Sequence, residues 1–124
     1  MRALALLFTV STLLAGCGAS DVCSCDIIAT DSNCVEFTGS TNPLYSAQLS
    51  GSCTSVLSGL CDSLGGTYAM GTACPTTDLV ADCSVDVITY GQTDYYYSTG
   101  GSPFDASTTE PEDDCSGAGT VTRY

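Results

Sequence analysis

The chain contains no histidine and no lysine, and its only basic side chains are Arg2 and Arg123. Without His or Lys, a serine or cysteine nucleophile has no conventional base to activate it. A carboxylate pair can hydrolyse glycosides unaided by either. No spacing among the scattered Asp and Glu nominates such a pair, so an enzyme is not expected. Fourteen carboxylates set the formal net charge at −12. A surface of that sign repels nucleic acid and anionic headgroups, so nucleic-acid partners are excluded.

Metal chemistry is thinly supplied as well. No Cys-x-x-Cys pair is present, and Cys23-Ser-Cys25 has no His to complete a zinc site. Thiols of an exported chain oxidise instead. The acidic group Glu110, Glu112, Asp113 and Asp114 raises a calcium alternative, but the spaced D-x-D-x-D-G loop is missing. Carboxylates in a first helical turn are already favoured by the helix dipole. No metal and no cofactor is expected.

Long apolar runs are also scarce. The stretch "ALALLFTVSTLLAG" after Arg2 falls short of the roughly 20 residues that cross a bilayer as a helix, and no second run follows. It reads as an export signal over residues 1–16. The signal ends in Leu14, Ala15, Gly16 and Cys17, which resembles the lipobox of bacterial prolipoproteins at every position. The resemblance implies cleavage between Gly16 and Cys17, a diacylglyceryl group on the Cys17 thiol, and a membrane anchor through that lipid. Two or three acyl chains exceed what stable anchoring requires. Because Gly18 is not Asp, it further implies sorting to the outer membrane in a host with two membranes. Residues 17–22 would then be a short lipidated tether. The alternative is an ordinary signal cut after Ala19, where "CGA" offers small residues at both inspected positions, giving a soluble secreted binder or inhibitor.

Residues 23–124 have the length of one small domain. Large aliphatics are sparse, so burial alone would leave it marginal. Cys23, Cys25, Cys34, Cys53, Cys61, Cys74, Cys83 and Cys115 form an even set and read as four disulfides. Cys25 and Cys34 recur 49 positions later as Cys74 and Cys83, which suggests degenerate repeats over 23–73 and 74–124. Equivalent bonds in the two copies would be Cys34 with Cys61 and Cys83 with Cys115. With Cys23 and Cys53 outside the pattern, each copy holds three repeating cysteines, an odd number, so at least one bond must leave it.

The expected fold is a small disulfide-rich α+β domain, each repeat a β-hairpin followed by a short helix. In the second copy, Ser84–Tyr90 is one strand, Gly91 to Asp94 the turn, and Tyr95 starts the return strand. In the first, the segment from Cys34 would return at Leu44 and Tyr45. Val56, Leu57, Leu60, Cys61 and Leu64 fall at helical spacing, with Ser52 as cap and Gly65 as stop. Gly66 to Tyr68 then enters another strand. Thr109 and Glu112 read as a capping box with Pro111 in the first turn.

The stretches "CDSLGGTYAMGTACP", "LVADC" and "YYYSTGGSPF" resemble pieces of small cysteine-rich bacterial lipoproteins of unknown function. That resemblance carries no activity to transfer. The reading is a membrane-anchored envelope lipoprotein that acts as an interaction module for a protein or a glycan. Its expected contact patch is Tyr95, Tyr96, Tyr97 and Phe104, because clustered aromatic rings supply large contact area at low entropic cost.

Overall fold

Strand alternation decides which side of the first element meets the core. In Val22–Ile27 (β1), Cys23, Cys25 and Ile27 share one face and are buried. The computed structural model describes residues 22–40, 44–87, 89–115 and 119–124. The signal peptide 1–16, Cys17 and the tether as far as Asp21 lie outside the described residues. A turn of helix, Ile28–Asp31 (α1), reverses the chain into Asn33–Gly39 (β2), which lies antiparallel to β1.

A helical run then follows in four parts: a 3₁₀ turn at Ser46–Gln48, Leu49–Ser52 (α2), a π turn at Cys53–Leu57, and Ser58–Leu64 (α3). Leu49, Cys53, Leu57 and Cys61 form its buried stripe. Positions four apart advance by about 40° around a regular α-helix, so this stripe would rotate off the sheet. The wider π turn at its centre takes up the drift. Gly65 stops the run in the left-handed conformation, φ 70°, and the chain enters Thr67–Met70 (β3).

Leu79–Val87 (β4) and Tyr90–Tyr97 (β5) make a hairpin, Glu110–Asp114 (α4) crosses over, and Thr120–Arg123 (β6) ends the chain. The result is a six-stranded antiparallel sheet in the order β3-β1-β2-β5-β4-β6. The helical run covers one face at the β1 side, with Phe37 stacked on Tyr90 at 4.2 Å beneath it. On the same face, α4 and Phe104 cover β4 and β5. The segment between β3 and β4 brings Cys74 to the opposite face, over Cys34 and Tyr97.

All eight expected cysteines are paired, as Cys23–Cys53, Cys25–Cys61, Cys34–Cys74 and Cys83–Cys115. The sequence separations run from 30 to 40 residues, and loops of that length contribute about 3–4 kcal/mol each by constraining the unfolded chain. The Cys83–Cys115 bond matches expectation. Cys34, however, bonds Cys74 and Cys61 bonds Cys25, because Cys34 faces away from the helix that carries Cys61. The two hairpins also differ in origin. β2 and β4 correspond at the 49-residue offset, whereas the segment equivalent to β1 lies in the connection between β3 and β4.

Four local expectations are corrected. Leu44 and Tyr45 are in a turn rather than a return strand, since β2 finds seven register partners in β5 instead. Ser52 lies inside a helical run that starts earlier, where the Tyr45 carbonyl accepts the Gln48 N–H. The β4–β5 connection falls between Val87 and Tyr90, and Gly91 is a strand residue. A Cβ there would lie 2.8 Å from the Thr38 hydroxyl, so the glycine permits close strand approach rather than a turn. Finally, Thr109 caps α4 without a side-chain cap bond, because Glu112 turns to Arg123.

Gly100 and Gly59 separate backbone need from tolerance. Gly100 has φ 101°, and a Cβ would sit 2.0 Å from the Ile28 carbonyl oxygen, whereas nothing lies within 4 Å at helical Gly59. Gly59→Ala should therefore stabilise the domain by about 0.5–1 kcal/mol. Gly100→Ala should destabilise it by at least about 1–3 kcal/mol. Denaturant midpoints of the oxidised variants check both, and equal shifts would contradict the account.

Candidate functional site

The three consecutive tyrosines end β5 with rings on alternate faces. Tyr96 and Tyr97 are buried and Tyr95 is half-buried. The Tyr96 ring meets Phe104 edge to face at 5.1 Å, and its hydroxyl donates to Asp114 Oδ2 at 3.2 Å. Tyr97 lies on the other face and donates to the Pro75 carbonyl at 2.7 Å. Tyr95 donates to Glu36 Oε1 at 3.3 Å. Each buried hydroxyl thus has an acceptor, which lets a tyrosine serve as core.

The expected contact patch is corrected accordingly. Tyr96, Tyr97 and Phe104 are interior residues, and they divide between two faces of the sheet because consecutive strand residues point oppositely. Four rings side by side on the surface do not occur.

The loop after β5 builds a different feature. Ser32 is fully buried in the left-handed conformation, φ 58°, and joins this loop to the β1–β2 connection. Its carbonyl accepts the Tyr97 N–H, and its Oγ accepts the Ser102 N–H at 2.9 Å. Gly101 donates to the Ile28 carbonyl, and Phe104 donates to that of Tyr97. The Asp105 carboxylate accepts the Ser107 hydroxyl at 2.5 Å, the Ser107 N–H at 2.8 Å and the Thr108 hydroxyl at 3.2 Å. These bonds hold that carboxyl below the usual carboxylate range. Arg123 donates to the Thr108 carbonyl and to Glu112, closing the loop against β6 and α4.

Between this loop and the β1–β2 connection lies an open hollow of about 550 Å³. Its walls are Ile27, Asp31, Asn33, Ser102, Pro103, Phe104, Thr108 and Glu110. Asp31 and Glu110 are exposed carboxylates, and the ion pair among the described residues engages Glu112 instead. The Asn33 amide donates to the Tyr95 carbonyl at 3.2 Å, which fixes its orientation. The hollow therefore offers two anionic acceptors and two hydroxyl residues beside an apolar wall. This chemistry suits a guest rich in N–H or O–H donors, above all a cationic one.

The chain matches no protein-family model, no curated protein and no solved structure.

Of the expected patch, only Phe104 reaches the hollow. Of the acidic group, only Glu110 does. Glu112 pairs with Arg123, Asp114 accepts from Tyr96, and Thr109 Oγ1 lies 3.4 Å from Asp113. No three acidic or cysteine side chains converge on one point among the described residues. Asp31, Asn33, Ser102 and Thr108 carried no signal beyond turn-forming composition, and Ser32 carried none at all.

The tyrosine hydroxyls make the domain sensitive to alkali. Burial, then the charge of Glu36, pushes Tyr95 up to about 12. Burial and Asp114 push Tyr96 higher still, and burial does the same for Tyr97. A fold that holds phenols protonated is stabilised by them below their ordinary value of about 10. That contribution disappears as pH rises from there through the folded values. Stability should accordingly be flat approaching about pH 10 and fall steeply above it. Denaturant melts paired with tyrosinate absorbance check this, and three phenols ionising near 10 in the native domain would contradict it.

Proposed function

We propose that this chain is a lipid-anchored lipoprotein of the bacterial envelope. Its disulfide-bonded domain is a non-enzymatic interaction module. The observation that carries the reading is the lipobox-like match at Leu14, Ala15, Gly16 and Cys17, and the division of the cysteines is compatible with it. Eight pair with one another and leave none of the set for Cys17, the cysteine that ends the lipobox-like Leu14-Ala15-Gly16-Cys17. A lipid on Cys17 accounts for the ninth thiol, as a cut after Ala19 also would, and the four matching lipobox positions favour the lipid. The absence of Asp at position 18 favours the outer membrane as its address.

The module's contact site is the hollow between Asp31 and Glu110, and its guest is a donor-rich, basic segment of another envelope protein. Charge supports a protein over a neutral glycan, since the exposed carboxylates of Asp31 and Glu110 line the opening while the nearby Arg123 is engaged by Glu112 and the Thr108 carbonyl. The recurrence of Cys25 and Cys34 as Cys74 and Cys83 supports descent by internal duplication, with β2 and β4 as equivalent strands and the remaining elements since diverged.

Mass spectrometry of the N-terminal peptide from exported protein should find diacylglycerol on Cys17, and Cys17→Ser should block processing after Gly16. An unmodified N-terminus at Ser20 would replace this reading with the soluble secreted binder. An envelope pull-down with Asp31→Asn/Glu110→Gln should retain its partner at least about tenfold less well than wild type, because one hydrogen bond to a charged group is worth roughly 1.5–3 kcal/mol. Equal retention by the two proteins would remove the hollow as the contact site. Retention on a neutral glycan array, unchanged by the double substitution, would transfer the site to a sugar.

A further inference from the structure

The two ends of the sheet differ in chemistry. At one end β1 begins, β2 finishes and the β4–β5 hairpin turns. There Val22 lies opposite Thr38, Gly39 opposite Tyr90, and Tyr90 opposite Val87. Met70 closes the same rim on β3, one position from Gly71, whose N–H donates to the Val22 carbonyl at 2.7 Å. Five strands lie between Met70 and Val87 inclusive. At about 4.8 Å per strand, the rim is roughly 19 Å long.

Apolar side chains stand exposed on it at Met70 and Val87, and at Leu44 in the segment that leaves β2 there. Met70 is 38% and Val87 37% accessible, and Leu44, five residues beyond the end of β2, is 80% accessible. Among the described residues, Asp86 is the one carboxylate in these last rows of the sheet. The opposite end holds Asp31, Asp78, Asp105 and Glu110, all exposed. A strongly acidic domain has therefore kept one rim nearly uncharged, while Val56, Leu60 and Leu64, 40–46% accessible, make a second exposed apolar stretch on the helical run.

The chain leaves the sheet from that rim. Val22 is five residues after Cys17, and a tether from Gly18 to Val22 reaches at most about 18 Å when extended. We infer that the domain stands on its membrane through this rim, with Leu44, Met70 and Val87 lodged among zwitterionic headgroups and the acidic hollow held at the far end. The inference rests on the lipid anchor proposed above. The length of β1, six residues at about 3.3 Å each, separates hollow from bilayer by about 20 Å or more. The lipid supplies affinity, and the rim sets orientation. The reverse pose would bring Asp31, Asp78, Asp105 and Glu110 to the headgroups instead.

The chain has no tryptophan, so a single introduced indole reports its own depth. Lipidated full-length Met70→Trp, Val87→Trp, Leu44→Trp and Ala106→Trp would each be reconstituted in phosphatidylcholine vesicles with and without brominated acyl chains. Indoles at 44, 70 and 87 should lose at least about half their emission to bromine, while that at 106 keeps it. Leu44 is the most exposed position and the least disturbing to replace, so it guards against misfolding of the other two variants. Vesicle flotation without quenching at 44, 70 and 87, or with equal quenching at 106, overturns the orientation alone. A chain that is unmodified at Cys17 and fails to float overturns the anchor and the orientation together.

Discussion

Each of the four disulfides does the work that a layer of large aliphatic side chains does in a richer core. Two tie the helical run to β1, at Cys23–Cys53 and Cys25–Cys61. A third ties the end of α4 to β4, and the fourth draws the β3–β4 connection onto the opposite face through Cys34. Every covering segment of the sheet is therefore bonded to it. The bonds sit among the most buried residues of the domain. Close packing follows from them: a Cβ on Gly119 would lie 2.5 Å from the Cys115 sulfur, and one on Gly66 would lie 2.8 Å from that of Cys25. Small residues flank the cysteines because the bonded sulfurs leave room for nothing larger.

With both faces covered at the β5 end, polar atoms must be accommodated inside. Glu36 is buried, and its two oxygens accept the Cys74 N–H at 2.8 Å and the Tyr95 hydroxyl. A carboxylate thus fixes the segment that Cys34–Cys74 draws down. Asp82 is likewise buried and accepts the hydroxyl of Tyr124. Burial of Asp94 raises its carboxyl above the usual range, with Asp114 adding repulsion and the Gln92 hydrogen bond opposing both. Acidic side chains are so abundant here that tyrosine hydroxyls, rather than cations, serve as their partners. The tyrosines are consequently drawn inward, away from the surface role their clustering suggested.

What could be read in advance followed local physics. The cysteine parity, the helical spacing of Leu57 and Cys61, the stop at Gly65 and the strand after it depend on neighbours within a few residues. Pairing between distant strands does not. The sequence of β2 suits a partner at 44–45 as well as one at 90–97, and only the seven-residue register with β5 decides it. The same non-locality hid the face on which Cys34 lies, and hence its bond to Cys74. It also hid the hollow, whose walls come from segments some seventy residues apart joined through Ser32. Serine in a left-handed turn leaves no trace in composition.

The polarity of the domain has its origin in where the acidic turns fall. Asp, Ser and Gly are favoured in turns because they tolerate bent backbone and bond to it locally. The β1–β2 reversal, the close of the β3–β4 connection and the long β5–α4 loop all lie at the end away from Val22, and they bring Asp31, Asp78 beside Ser98, and Asp105 with them. The hairpin at the Val22 end turns between Val87 and Tyr90, with no space for such residues. Acidity therefore collects at the end where those turns lie, whereas the segments that leave β2 and β3 at the Val22 end are poor in carboxylates. A contact site and a resting surface can thus arise from one cause, the uneven placing of acidic turn residues at the two ends of a single sheet.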